Sequence, residues 1–334
     1  MRRRDAVARL MALAALCGAR VAAAQVAKAA RPYRIIVFPD VPPTIRSMIA
    51  EEIRALGWVE GHDVVVQDSG FAYGSPNHVQ AAERVAKARP DLILTYSSNY
   101  ALALHRATPT TPIVMWTSGY PVEVGIAESL ARPGKNVTGN TQYAGTGFWG
   151  KQVELLREAK PGTKRVAVCW GYVPPDFPKE EIDPCYRELR LAANSLGATL
   201  TIVEFPSADR VPASLAQIEA ANPEAMLVTT GPAIWAARTQ VMAYAIRRRL
   251  PTIGDFHWPE TESHAPVLQF APSTGDQVKR AVAYIDRIRK GARPGLLPIQ
   301  LPAKFELVVN RAAAQSIDLA IPQSVLLRAD RVIE

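Results

Sequence analysis

Hydroxyls, small residues, aromatics and a few acids recur at nine places in this chain, each just after a short apolar run. They are Pro39-Asp40, Ser69 to Tyr73, Tyr96-Ser97-Ser98-Asn99, Thr117-Ser118-Gly119-Tyr120, Thr141-Gln142-Tyr143, Gly171-Tyr172, Thr230-Gly231-Pro232, Asp255-Phe256-His257 and Ala271-Pro272-Ser273. That mixture suits recognition of a small molecule, with polar groups to orient it and rings to wall it in. Ser, Thr, Asn and Asp also cap helices by satisfying their first N–H groups. The set therefore says more than any one member.

The residues of covalent and metal chemistry do not form a pattern. No GxGxxG follows the first apolar run, and there is no GxxxxGK[ST] phosphate loop. No GxSxG turn exposes a serine nucleophile. The five histidines are His62, His78, His105, His257 and His264, and none belongs to HExxH or a close pair. His257 and His264, with Asp255, Glu260 and Glu262 near them, read either as a metal site or as a solvated Pro-rich loop; the loop is the simpler reading. Asn136-Val137-Thr138 matches a glycosylation sequon, but so short a match is unspecific.

The elements that position these residues alternate between strand and helix. Arg34–Phe38 is a continuous apolar run, as expected of a strand buried on both faces. Ile45, Ile49, Ile53 and Leu56 follow at helical spacing, and Gly57 ends that helix. Strands are expected at 63–67, 91–95, 113–116 and 136–139, with helices at 77–88 and between 95 and 113. The cycle restarts with helix 148–159, strand 165–170, a helix carrying Leu189, Ala193 and Leu196, and strand 199–205. Helix 214–221, strand 225–229, helix 233–248, strands 252–254 and 267–270 and a helix through Val278, Val282 and Ile285 complete it. Leu56-Gly57 before one strand and Leu196-Gly197 before another hint at duplication, although any helix-to-strand turn favours Leu-Gly. Repeated βαβ units of this length imply two doubly wound α/β lobes, whose ligand crevice lies beyond the carboxyl ends of the strands.

Length and composition agree. The chain has 334 residues, 48% hydrophobic and 21% charged, enough for two lobes with their own cores. The net charge of +8 owes much to Arg2, Arg3, Arg4, Arg9 and Arg20, opposed there only by Asp5, and the remaining charge is spread. A modest, scattered charge argues against a nucleic-acid partner. Those arginines, the apolar run Leu10–Leu16 and Ala22-Ala23-Ala24 form an export signal over 1–24, with Gln25 as the first mature residue. Lipid attachment at Cys17 is disfavoured because Leu16, not a small residue, precedes it. Nothing later is apolar for long enough to span a bilayer. The exported chain keeps Cys169 and Cys185, which read equally as a disulfide or as two unrelated buried thiols.

Longer stretches carry a resemblance. Glu128–Gly139 (ESLARPGKNVTG) and 304–334 (KFELVVNRAAAQSIDLAIPQSVLLRADRVIE) resemble the ABC-transporter substrate-binding protein family whose studied members bind tryptophan or tyrosine. So do 56–66, 151–168 and 284–310, in one linear order across the exported chain. The resemblance implies the α/β type I periplasmic binding-protein fold: two doubly wound parallel-sheet lobes joined by three crossover strands. The crossovers are then expected near Thr138–Thr141, Gly254–Phe256 and Gly291–Leu301, with lobes of 31–139 plus 255–290 and 140–254 plus 291–334.

It also implies a periplasmic, monomeric receptor with a small-molecule ligand, no cofactor and no catalysis, serving an inner-membrane ABC permease and its ATPase. A ligand-presenting sensory component, or a secreted enzyme using the cleft, are the other readings. In similar folds hydroxyls and backbone N–H groups after the third and fourth strands hold a ligand carboxylate, here Ser97, Ser98, Thr117 and Gly119; helix N-termini suit anions. An ammonium then needs an acid, first Asp255 and second Asp40. Tyr73, Tyr96, Tyr143, Trp170 and Tyr172 are the candidate walls, and Asn99, Ser118, Thr141, Gln142, Thr230 and Gly231 the remaining lining. Many relatives carry Gly-Asp-Pro where this chain has Gly119-Tyr120-Pro121, so an acid is replaced by an aromatic at the pocket edge. The stretch Tyr96–Asn99 also replaces the family's smaller, Gly-containing run.

Overall fold

A computed structural model of the chain describes residues 31–75, 77–142, 147–173, 179–256, 258 and 264–334. The apolar runs of the first half become β1 (Tyr33–Phe38), β2 (Val64–Asp68), β3 (Leu92–Tyr96), β4 (Ile113–Thr117) and β5 (Val137–Gly139). They form one parallel sheet in the order β2-β1-β3-β4-β5. Leu92, Ile93 and Leu94 are all buried, so both faces of the sheet are covered. Helix α1 (Pro43–Ala55) lays Ile45, Ile49 and Ile53 on one face. Helices α2 (His78–Lys87) and α3 (Ser98–Ala107) cover the other, with Ala81, Ala82, Val85, Ala101 and Leu104.

The second half gives α4 (Phe148–Ala159), β6 (Arg165–Trp170), α5 (Lys179–Leu196), β7 (Thr199–Glu204), α6 (Val211–Ala220) and β8 (Ala225–Val228). The expected helix 233–248 is two helices, α7 (Pro232–Ala236) and α8 (Arg238–Arg247). The Arg238 guanidinium donates to the Trp235 carbonyl at 3.0 Å and lies over its ring at 4.8 Å, supplying the partner that a continuous helix would have provided. Then follow β9 (Thr252–Gly254), β10 (Leu268–Pro272), α9 (Thr274–Arg289), β11 (Phe305–Asn310), α10 (Arg311–Gln315), α11 (Gln323–Leu326) and β12 (Arg331–Ile333). The second sheet runs β12-β11-β10-β9-β8-β6-β7. It is parallel except where β11 pairs antiparallel to β10, a consequence of the chain re-entering this lobe from the other one.

Two lobe assignments change. The stretch 255–272, expected with the first lobe, contributes β10 to the second sheet, because Val267 and Leu268 pack with Val168, Leu227 and Ile253. The crossover expected at Gly254–Phe256 is therefore at Ser273, whose N–H donates to Lys304 O at 2.9 Å. The first lobe then receives α9, whose Val278, Val282 and Ile285 join the core of α1 and β1. Leu297 and Ile299 stay in first-lobe cores before the chain returns to β11.

The crossover after β5 is pinned. Asn140 N donates to Met115 O at 2.8 Å, Thr141 N to Gln300 O at 2.9 Å and Gln300 N to Gly139 O at 2.8 Å. Gly139 has φ +135°, and a Cβ there would stand 2.0 Å from Met115 O, so only glycine fits.

Cys169 and Cys185 are both buried thiols with no disulfide between them. Cys169 shares with Ala167 the face of β6 covered by α6 and α8, whereas Cys185 lies in the α4–α5 core with Val166 and Val168. The sheet separates them. Asn136 of the sequon is bound inward, its amide donating to Thr108 O and Thr111 O.

Candidate ligand site between the lobes

Two groups of residues face each other where the strand ends of the lobes meet. The first-lobe group is built on the start of α3 and the loop after β4. Ser97 has φ +67° and does not cap α3; its hydroxyl donates to Asn99 Oδ1 at 2.6 Å. Ser98 is fully buried, and its Oγ accepts Gly119 N–H at 2.9 Å. Thr141 Oγ1 donates to Gly119 O at 2.6 Å, and Ser118 Oγ to Asn140 O at 3.0 Å. Thr117 Oγ1 accepts from Gln277 Nε2 at 3.2 Å. These hydroxyls tie two loops, a crossover and α9 into one frame. A buried Ser98 or Thr141 without its partner would cost roughly 1–3 kcal/mol, so this edge is held rigid.

The second-lobe group is centred on Asp255, which is fully buried just after β9. Tyr172 OH donates to its Oδ2 at 2.6 Å. Thr230 N and Thr230 Oγ1 donate to Oδ1 at 3.0 and 3.1 Å. No Lys, Arg or His pairs with this carboxylate among the described residues. Burial pushes its pKa up to about 6, against the pull of these donors. Tyr172 is driven well above the ordinary phenol value by burial and then by the Asp255 charge. Gln142 joins the two groups: its N–H donates to Ser118 O at 2.7 Å and its Nε2 to Asp255 O at 3.2 Å.

Tyrosines close the space between the groups. Tyr73, from the first lobe, donates its OH to Thr230 O at 3.1 Å. Tyr96 lies 5.6 Å from Tyr73, ring to ring, and 5.3 Å from Trp116. Asp40, the second candidate acid, is engaged in its own lobe: Ser69 Oγ and Gly70 N donate to its Oδ1 at 2.8 and 3.0 Å. Gly231 allows two loops to cross, since a Cβ there would fall 2.0 Å from Gly171 C and O.

Trp170 is not a wall. It is fully buried in the core against Trp149 and Tyr186, each at 5.1 Å, and its Nε1 donates to Tyr172 O at 2.7 Å. It supports Tyr172 from behind. Alternation along β6 carries the signal, because Val166, Val168 and Trp170 share one face. Tyr143 and His257 lie outside the described residues, as do Glu260, Glu262 and the segment 1–24. Among the described residues no group of three or more His, Cys, Asp or Glu is arranged to hold a metal.

Sequence reasoning missed Asn140 and Gln277. Asn140 Nδ2 donates to Trp116 O and Gln277 O at 3.1 and 2.9 Å, joining β4, the crossover and α9. Asn140 directly follows 128–139, the stretch that carries the family resemblance, which is a usable signal; Gln277 has none. A hollow of about 430 Å³ lined by Tyr186, Arg190, Glu204 and Arg210 lies between α5, β7 and α6, away from these residues. The residues between the lobes are closed on one another.

A family model described as ABC transporter substrate binding protein matches residues 36–333. A tyrosine-binding protein of Clostridioides difficile (strain R20291) is 29% identical over 115 residues, which are 34% of this chain and 32% of that protein. The match thus spans about a third of that relative's length. A solved ABC domain from Streptococcus pneumoniae in complex with L-Trp is similar over 90% or more of both chains, 91% of this one and 99% of that one, with TM-score 0.76 and 19% identity. A ligand-free, open structure of a substrate binding protein with adhesive properties from Clostridium difficile has TM-score 0.65 and 18% identity, over 90% of this chain and 99% of that one.

Proposed function

The chain belongs to the ABC transporter substrate binding protein family, and from that premise we propose that it is the exported receptor of an ABC importer for an amino acid with an aromatic side chain. The ligand sits between the lobes, its ammonium on Asp255 and its carboxylate toward Ser97 and the start of α3. The single observation that carries this reading is the buried Asp255 carboxylate, held by three donors and paired with no cation among the described residues. A charge in that setting is costly unless a partner arrives. An ammonium is the complement. The anion belongs on the other side, because the start of α4 is already taken: Glu188 accepts from Gly147 N and Trp149 N at 2.7 and 2.8 Å. Tyr73, Tyr96 and Tyr172 offer the ring faces for an aromatic side chain. The named ligands of the relatives, tyrosine and L-Trp, favour the same class.

In this reading ligand bridges both lobes and shifts the population toward the closed form, which docks on a permease. The lobes are 31–139 with 274–299, and 140–273 with 300–334. The segment 1–24 directs export and is removed. Isothermal titration of the protein with L-tryptophan, L-tyrosine, L-phenylalanine and a panel of aliphatic amino acids and sugars tests it. Saturable binding of an aromatic amino acid, lost in Asp255→Asn, supports the reading. Binding of a sugar only, or of an amino acid with equal affinity in Asp255→Asn, overturns it.

A further inference from the structure

Tyr120 crosses from one lobe to the other without belonging to the ligand site. Its backbone is first-lobe: Gly119 is bonded to Ser98, Val124 N donates to Tyr120 O at 3.1 Å, and Ile126 and Ala127 N donate to Pro121 O at 2.9 and 3.0 Å. Ile126 and Ala127 are buried in a first-lobe core. The ring, however, packs on the second-lobe core that holds Phe148, Trp149, Cys185 and Leu189. Burial raises its phenol pKa, and the neighbouring Cys185 and Glu188 raise it further. Glu188 is satisfied by the start of α4, so the pocket that receives the ring is preformed within the second lobe. At the other edge, Tyr73 reaches Thr230, and Gly74 approaches Pro232 so closely that an added Cβ would lie 3.1 Å from its Cβ.

We propose that Tyr120 is an interlobe latch, a first-lobe ring seated between α4 and α5 of the second lobe that holds the receptor closed without ligand and so sets affinity from outside the site. Apparent affinity scales with the fraction of receptor in the binding-competent form. A residue that favours closure therefore tightens binding without touching ligand. The effect on affinity rests on the ligand reading given above; the effect on closure does not.

Cys185 lies beneath the ring, and Cys169 is buried on the far side of the second sheet. Lobe opening uncovers the first thiol, whereas only unfolding uncovers the second. The test is alkylation of the ligand-free full chain by N-ethylmaleimide, followed residue by residue by peptide mass spectrometry. In Tyr120→Ala, Cys185 should react about tenfold faster than in the unmodified protein, the scale of losing one buried aromatic contact, with Cys169 unchanged. Small-angle scattering of the ligand-free variant should show a larger radius of gyration, which loss of the ring's cover over Cys185 alone would not produce; an unchanged radius overturns the latch. Tyr120→Phe keeps the ring and should fall between. Equal Cys185 rates in Tyr120→Ala and the unmodified protein overturn the latch, as does parallel acceleration of both cysteines in both variants. Binding of the tightest amino acid from the titration panel should weaken about tenfold in Tyr120→Ala. If no amino acid binds, the ligand reading fails while the alkylation contrast still decides the latch.

Discussion

The two edges that meet between the lobes are built on opposite principles. On the first-lobe edge Ser98, Ser118, Thr117 and Thr141 are each bonded to a protein partner. On the second-lobe edge Tyr172 and Thr230 converge on a buried carboxylate with no cation among the described residues. One edge is a satisfied frame; the other holds an uncompensated charge. A saturated hydrogen-bond network sets shape and resists change, whereas an unpaired buried charge gives up stability for selectivity. The ligand's charge should therefore be read by the second lobe, and its position fixed by the first.

The largest expected effect is Asp255→Asn. Removing one partner of a buried charge pair typically costs about 2–5 kcal/mol, so aromatic amino acid affinity should fall about 30- to 5000-fold by calorimetry. Stability should move the other way. Asp255 has a folded pKa of about 6, above its ordinary value of 3.8, so the folded chain binds more protons than the unfolded one between these values. Unfolding free energy of the ligand-free protein then falls as pH rises from about 4 through 6, by roughly 2–3 kcal/mol from this group. Denaturant titrations at pH 4 and 8 should show that loss, and Asp255→Asn should abolish it. Ligand affinity has the opposite slope, rising with pH through about 6 as the carboxylate ionises.

Ser98→Ala probes the frame. It strands the buried Gly119 N–H, and midpoint shifts in urea should report about 1–3 kcal/mol of destabilisation with preference between amino acids preserved. A change in preference larger than the stability loss would erase the distinction between the two edges. Tyr172→Phe acts more mildly on the other edge. It removes one of three donors to Asp255, so affinity should weaken about tenfold and the pH midpoint of binding should rise. Smallest is the response to reductant: with no disulfide between Cys169 and Cys185, which lie on opposite faces of one sheet, the melting temperature should be the same with and without dithiothreitol.

Much of this framework is legible in the sequence, for identifiable reasons. Phe148–Ala159 and Arg165–Trp170 match their expected bounds because each is a continuous apolar pattern with clear ends. Asp255 is legible as a cleft residue because it follows a strand, and strand ends define the crevice in such sheets. Which lobe β10 joins was not legible, because a short apolar run carries no record of its partner; the pairing with β9 and β11 decides it. Trp170 belongs to the core because the two-residue alternation of β6 puts it on the face of Val166 and Val168, whatever its residue type suggests. Tyr120 stood out as a departure, yet its seat against Cys185 and Trp149 is a contact between lobes that no local pattern encodes.

The most direct measurement compares the tightest-binding aromatic amino acid with its deaminated analogue, each titrated into the unmodified protein and into Asp255→Asn. If Asp255 reads the ammonium, the unmodified protein prefers the amine by about 100-fold or more and the variant shows little preference. An equal preference for the amine in both proteins would place the ammonium elsewhere and contradict the division of labour between the two edges.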